Sequence, residues 1–152
     1  MIRDATVLDA EVLTEFRLAM MDDAGFLADA EDVAAVRAAT LEYMGRALPA
    51  GELRCWLAEM DGAPVASAGV IVLHKPPGAA ELSGREAYIL NVYTLPEHRG
   101  RGIATSLTTV VLQWCEAEGI RKISLHATHA GARIYRRFGF EDDPRAMVRR
   151  RY

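Results

Sequence analysis

Residues 92–106 read VYTLPEHRGRGIATS, and the fold turns on what this segment does between its neighbours. The run before Pro96 is apolar and β-type, while Ile103, Leu107, Val110, Val111 and Trp114 behind it draw one helical stripe that ends at Gly119. Two glycines and two arginines over residues 99–102 make poor filler, since Gly costs backbone entropy and Arg is not buried unpaired. A strand, a turn and a helix in succession aim free backbone N–H groups and the positive end of the helix dipole at one spot. Glycines there let an anion come close. A phosphate or pyrophosphate fits, with Arg99 and Arg101 adding charge-assisted hydrogen bonds. The plainer alternative is a Gly-rich turn with two solvated arginines. A Walker loop fails, because it needs a Gly-Lys-Ser/Thr ending and here Ile103 and Ala104 separate Gly102 from Thr105. A dinucleotide fingerprint wants Gly or Ala where Thr105 stands, and a βαβ setting.

Upstream, residues 53–60 and 65–73 are β-type runs joined across Asp61-Gly62, a dipeptide suited to a tight hairpin turn. The loop KPPGAAELSGRE leads to a third strand over 88–95. Three strands in a row predict an antiparallel region. Before them, Val12, Leu13, Phe16 and Met20 mark a first helix behind Asp9 as N-cap, after a short strand at Ile2 and Arg3. Val33, Val36, Thr40, Met44 and Leu48 mark a second helix, stopped by Pro49 and Gly51. Downstream, 122–126 reads as a strand, 130–138 as a short helix closed by Gly139, and 146–152 as a final strand. The fold class is mixed α/β, with a largely antiparallel central sheet and helices on both faces.

The 152 residues are expected to form one domain, 1–152. A formal net charge of -3 excludes a general nucleic-acid footprint, which needs a basic face. Cys55 and Cys115 lack CxxC spacing and read as small buried hydrophobes. The longest apolar run, 63–73, is too short to span a bilayer, and acids occupy the N-terminus where a secretion signal needs an apolar stretch. No membrane partner and a cytoplasmic location are expected. Arg145 and Arg149, Arg150 and Arg151 read as a solvated strand edge.

With these residues in place the chain resembles the GNAT superfamily of acyl-CoA-dependent N-acetyltransferases. The family's (Q/R)xxGx(G/A) motif is matched by Arg99, Gly102 and Ala104. Its second signature, a strand followed by a short helix with a Tyr and a closing Gly-Phe, is matched by 122–126 and by IYRRFGF at 134–140. The resemblance implies a sheet splayed at the cofactor site, with acetyl-CoA as co-substrate and no metal. It implies that the CoA pyrophosphate sits on the backbone of Arg99, Gly100, Arg101, Gly102, Ile103 and Ala104, and that the pantetheine arm lies like an added strand along Val92, Tyr93 and Thr94. Thr128 stands where many relatives have an Asn that reaches the pantetheine.

Tyr135 occupies the position of the Tyr that protonates the leaving thiolate in similar proteins. Relatives that use a side-chain base often carry Glu in the strand before the turn, and 88–95 contains no acid. His126 is therefore the candidate base, with Asn91 orienting the acceptor or a water, and Glu86 as second choice. The implied function is acetyl transfer to a primary amine by direct attack in a ternary complex. The alternative is a non-catalytic acyl-CoA-binding sensor. Antibiotic, polyamine, amino acid and protein N-terminus all remain open as acceptors. The acids Asp22, Asp23, Asp29, Glu31 and Asp32 beside Met20, Met21, Phe26 and Leu27 favour a dicationic acceptor if they wall the cleft, and are otherwise an ordinary helix end. Dimers are common in similar proteins, so a homodimer is also an expectation.

Overall fold

The computed structural model describes residues 1–151. In chain order the strands are β1 (Ile2–Asp4), β2 (Leu53–Met60), β3 (Ala63–His74), β4 (Arg85–Thr94) and β5 (Lys122–Leu125). The helices are α1 (Ala10–Asp23), α2 (Ala30–Ala50), α3 (Ile103–Ala117) and α4 (His129–Arg137). Asp61 and Gly62 both take left-handed backbone, φ 52° and 76°, and close the hairpin between β2 and β3 with Met60 opposite Ala63. Mirror-image turns of this kind follow the twist of the strands they join. The sheet runs in sequence order from β1 to β5. Its first three pairings are antiparallel, and α3 carries the chain over to make β5 parallel to β4.

Side chains alternate across a strand, and the sheet uses both faces. Leu53, Cys55, Leu57 and Tyr93 pack with Leu13 and Phe16 of α1 and Met44 and Ala47 of α2. Trp56, Ala58, Ala66, Ala68, Val70, Ala87 and Ile89 pack with Leu107, Val111 and Cys115 of α3. Each fully buried large apolar side chain in these layers contributes about 1.5–3 kcal/mol. Cys55 and Cys115 are unpaired and buried, as expected, and burial pushes their thiols up to about 12 and about 11. They stay protonated at neutral pH.

Several boundaries differ from the sequence reading. Pro49 does not stop α2: it sits inside the last turn, and the helix ends at Gly51, whose left-handed backbone (φ 73°) lets its N–H reach back to Ala47 and Leu48. Asp9 precedes α1 but does not cap it with its side chain, because its carboxylate is drawn to the Arg3 guanidinium and the Thr6 amide. The expected final strand is absent among the described residues: 146–151 pair with nothing, Met147 is 94% exposed, and Tyr152 lies outside the described residues. Three successive arginines repel one another, and no apolar face is buried by pairing them.

One irregularity positions the site. Gly69 of β3 faces Leu90 and Ser67 faces Tyr93, so β4 spends three steps where β3 spends two. The extra residue is a β-bulge at Asn91, whose backbone is left-handed at φ 54°. It shifts the alternation, so that Leu90 and Tyr93 face α1 and α2 while Val92 faces α3.

Candidate functional site

β5 pairs with β4 only from Glu86 to Ile89, ending at Leu125. β4 continues past the bulge to Thr94, so its second half has no partner on that side. Leu95 N–H donates to Val65 O toward β3. By the alternation of an antiparallel pair, the backbone groups of Thr94 and Val92 therefore face the opening. Asn91, Val92, Tyr93 and Thr94 thus line a gap in the sheet where an extended ligand can lie as a strand would.

Beyond Thr94 a 3-10 turn, Pro96–His98, leads to the Arg99 to Gly102 turn. Gly100 and Gly102 have left-handed backbone, φ 75° and 77°, and a Cβ added at either would meet open space. Glycine is required there by conformation, and the space above the turn is free for a ligand. Gly102 caps α3 without a side chain, and no acid stands in the first helical turn. Ser106 is the first residue whose amide is bonded within the helix, to Gly102 O at 3.0 Å. The amides of Ile103, Ala104 and Thr105 are left to bind an anion. Arg101 is exposed beside them.

Arg99 does not point into this space. Its Nε donates to Thr94 O at 2.9 Å, its Nη2 to Asp23 Oδ2 at 2.8 Å, and its guanidinium lies 5.5 Å from the centre of the Tyr93 ring. It ties the end of α1 to the end of β4. Tyr93 in turn packs 5.6 Å from Phe16, and burial first of all pushes its phenol up.

The acids of 22–32 are largely engaged. Asp23 holds Arg99; Asp29 caps α2 by accepting from the Asp32 amide at 2.9 Å; and Asp32 accepts from the Ala28 amide at 3.2 Å.

On the β5 side, His126 follows Leu125 directly, and its Nδ1 is hydrogen-bonded to the Tyr88 hydroxyl at 2.5 Å. Thr128 caps α4 by accepting from the Gly131 amide at 3.1 Å. Tyr135, in the last turn of α4, packs edge-on against Phe140 at 5.8 Å, and Phe140 joins the α3 side of the core. A Cβ on Gly131 would stand 3.2 Å from Thr128 Oγ1 and 3.4 Å from Tyr135 Cε2, so the small residue lets the tyrosine ring lie close to the helix start. Burial pushes the Tyr135 phenol up and keeps its proton on.

Glu86 lies inside β4, which begins three residues earlier than the sequence predicts. It is 5% exposed. Burial pushes its carboxyl up, but Lys75 at 2.6 Å, the Ser124 hydroxyl at 2.9 Å and Lys122 at 3.4 Å together outweigh burial and hold it below the ordinary value. A carboxylate so held is a weak base. Arg17 is the residue that sequence reading missed: its Nη1 donates to Asn91 Oδ1 at 2.7 Å. The available signal was its place one turn after Leu13, on the stripe that faces the sheet.

Among the described residues no three His, Cys, Asp or Glu side chains gather as metal ligands would, and no helix is long and apolar enough to cross a membrane. A search of curated proteins found no match. Among solved structures, a predicted acetyltransferase with acetyl-CoA from Clostridium acetobutylicum is 27% identical, with 99% of this chain and 95% of that one covered and a TM-score of 0.90. A GCN5-related N-acetyltransferase from Ralstonia eutropha JMP134 is 31% identical, covering 98% of this chain and 97% of its own, with a TM-score of 0.89. An aminoglycoside N-acetyltransferase in complex with CoA shares the fold at 19% identity, with 100% and 99% covered and a TM-score of 0.72. The gap in the sheet, the bare helix start beside it and a family match over residues 18–140 agree, and the chain belongs to the acetyltransferase (GNAT) family.

Proposed function

We propose that this chain, as a single domain, is an acetyl-CoA-dependent N-acetyltransferase that acetylates the primary amine of a small molecule in a ternary complex. The observation that carries the proposal is the opening of the sheet at the Asn91 bulge, with a β4 edge that has no partner strand leading straight to a helix start that has no capping side chain. The residues fit CoA: left-handed glycines with open space above them admit a pyrophosphate, and the free edge of β4 admits a pantetheine arm. Acetyl-CoA supplies an activated acyl group on a sulfur that leaves readily.

The chain's own residues do the rest. The amides of Ile103, Ala104 and Thr105 hold the diphosphate, and the free edge of β4 directs an N–H at the thioester oxygen, where negative charge develops. The amine nitrogen forms a bond to the carbonyl carbon, the C–S bond breaks, Tyr135 gives its proton to the departing sulfur, and the proton that the nitrogen sheds on becoming an amide restores the phenol. The amine must arrive neutral or lose a proton on the way. His126 can take that proton at Nε2 only in the tautomer whose Nδ1–H donates to the Tyr88 oxygen, so Tyr88 sets its competence.

Thiol release from acetyl-CoA across a broad amine panel tests the proposal. Amine-dependent release with formation of the amide is expected. Tight acetyl-CoA binding with no release on any amine would instead identify a sensor. For His126→Gln, the acidic limb of the kcat/KM profile should shift or vanish when acceptors of different pKa are compared. A limb that tracks only the acceptor's own pKa would return His126 to a structural role.

A further inference from the structure

Arg17 sits at the acetyl end of this site with no partner of opposite charge. It lies half-buried on α1 beside Phe16, and Asn91 Oδ1 accepts from its Nη1. A guanidinium only donates, which fixes the amide: Oδ1 faces Arg17, and Nδ2 is turned away, buried without a hydrogen-bond partner. Among the described residues no carboxylate comes within ion-pair distance of Arg17, whereas Arg3, Arg37, Arg46, Arg54, Arg85 and Arg99 each have one. A partly desolvated cation without a counter-charge is costly. So are a left-handed non-glycine and an unpaired buried amide donor, and Asn91, 4% exposed, carries both. All three costs fall at one point, where β4 and β5 part.

α1 runs along β4, so that Arg17 meets Asn91, Phe16 meets Tyr93, and Asp23 meets Arg99. Arg17 therefore stands at the bulge and away from the anion-binding turn, where Asp23 lies. The diphosphate is not its partner. What remains on that side is the acceptor. We propose that the acceptor bears an anionic group, a carboxylate or phosphonate, besides its amine, that Arg17 binds this group through its free N–H donors, and that Asn91 holds the guanidinium in place. An amino acid or an aminoalkylphosphonate has this chemistry. A polyamine does not, and of the nearby acids Asp23 already pairs with Arg99 while Asp29 and Asp32 serve the start of α2. The inference rests on the acetyltransferase reading above and names its substrate class.

The test compares matched acceptors by thiol release: amino acids against their carboxamides, aminoalkylphosphonates, and diaminoalkanes without an anion. The wild type is expected to prefer anionic members by at least about tenfold in kcat/KM, and Arg17→Gln to remove that preference, mainly through KM, by a similar factor. Arg17→Lys should restore part of it. Acetyl-CoA affinity by calorimetry should stay close to wild type in both variants, which also shows that they fold. Carboxylates preferred over phosphonates, or the reverse, decides between the two anions. An Arg17→Gln variant that slows every acceptor alike overturns the inference and leaves acetyl transfer standing, as does a wild type that prefers diamines. A wild type that acetylates no amine of any class overturns both.

Discussion

Gly102→Asp is expected to abolish acetyl-CoA binding in a protein that still folds. The new Cβ meets open space, so nothing in the core has to move. A left-handed Asp costs about 1–2 kcal/mol of backbone energy, which a domain of this size usually survives. The carboxylate, however, lies where the amides of Ile103 and Ala104 converge, and it both fills the phosphate's space and repels its charge. Calorimetry should show affinity falling by at least about tenfold, roughly 1.4 kcal/mol, with a larger loss at low salt. Gly102→Ala separates the causes, since it keeps the strain and adds no charge. If the Asp variant binds acetyl-CoA as wild type does while its circular dichroism is native, the anion site is elsewhere.

Tyr135→Phe should lower kcat about a hundredfold while acetyl-CoA affinity stays nearly constant, because the ring is kept and only the proton donor is lost. The packing against Phe140 and beside Gly131 is preserved, so a stability change would not account for the result. The pH dependence carries a sign. Burial raises the phenol's pKa above its ordinary value of 10.0, so the donating form persists through neutral and mildly alkaline pH. Loss of activity that Tyr135 causes should therefore appear only above about pH 10. A wild-type kcat in the Phe variant, with chemistry rate-limiting, would remove Tyr135 from the mechanism.

Much of this was legible in the order of residues. The Asp61-Gly62 hairpin, the strand before Pro96, the Arg99 to Gly102 turn and the stripe of α3 are local patterns, and local physics decides them. What could not be read was set by partners distant in sequence. Glu86 looked like loop because glycines and prolines precede it, yet it pairs opposite Lys122 and is buried beneath two lysines. Arg99 looked like a phosphate ligand, and Asp23, 76 residues away, claims it instead. Arg17 drew no notice because a single charge in a helical stripe gains meaning only from what it faces, here Asn91 across 74 residues. The expected last strand, absent among the described residues, has a similar cause: 146–151 could extend as a strand, but a strand needs an edge that gains from taking it.

The bulge at Asn91 makes the length of β4 matter as much as its composition. Before it, Ala87 and Ile89 face α3; after it, Val92 does, and Tyr93 has moved to the side of α1. Removing a single residue between Leu90 and Tyr93 would take out the bulge and leave Val92 and Tyr93 on their present sides, whereas flattening the bulge with every residue kept would drive the tyrosine toward the α3 layer and the valine toward α1. Either change would straighten the strand where it now parts from β5. By contrast, the loop at 75–84 can change length without altering which side chain faces which helix, provided the contact of Lys75 with Gly84 is kept. Between Arg85 and Arg99 the number of residues and the bulge must therefore match for each side chain to meet its own helix layer.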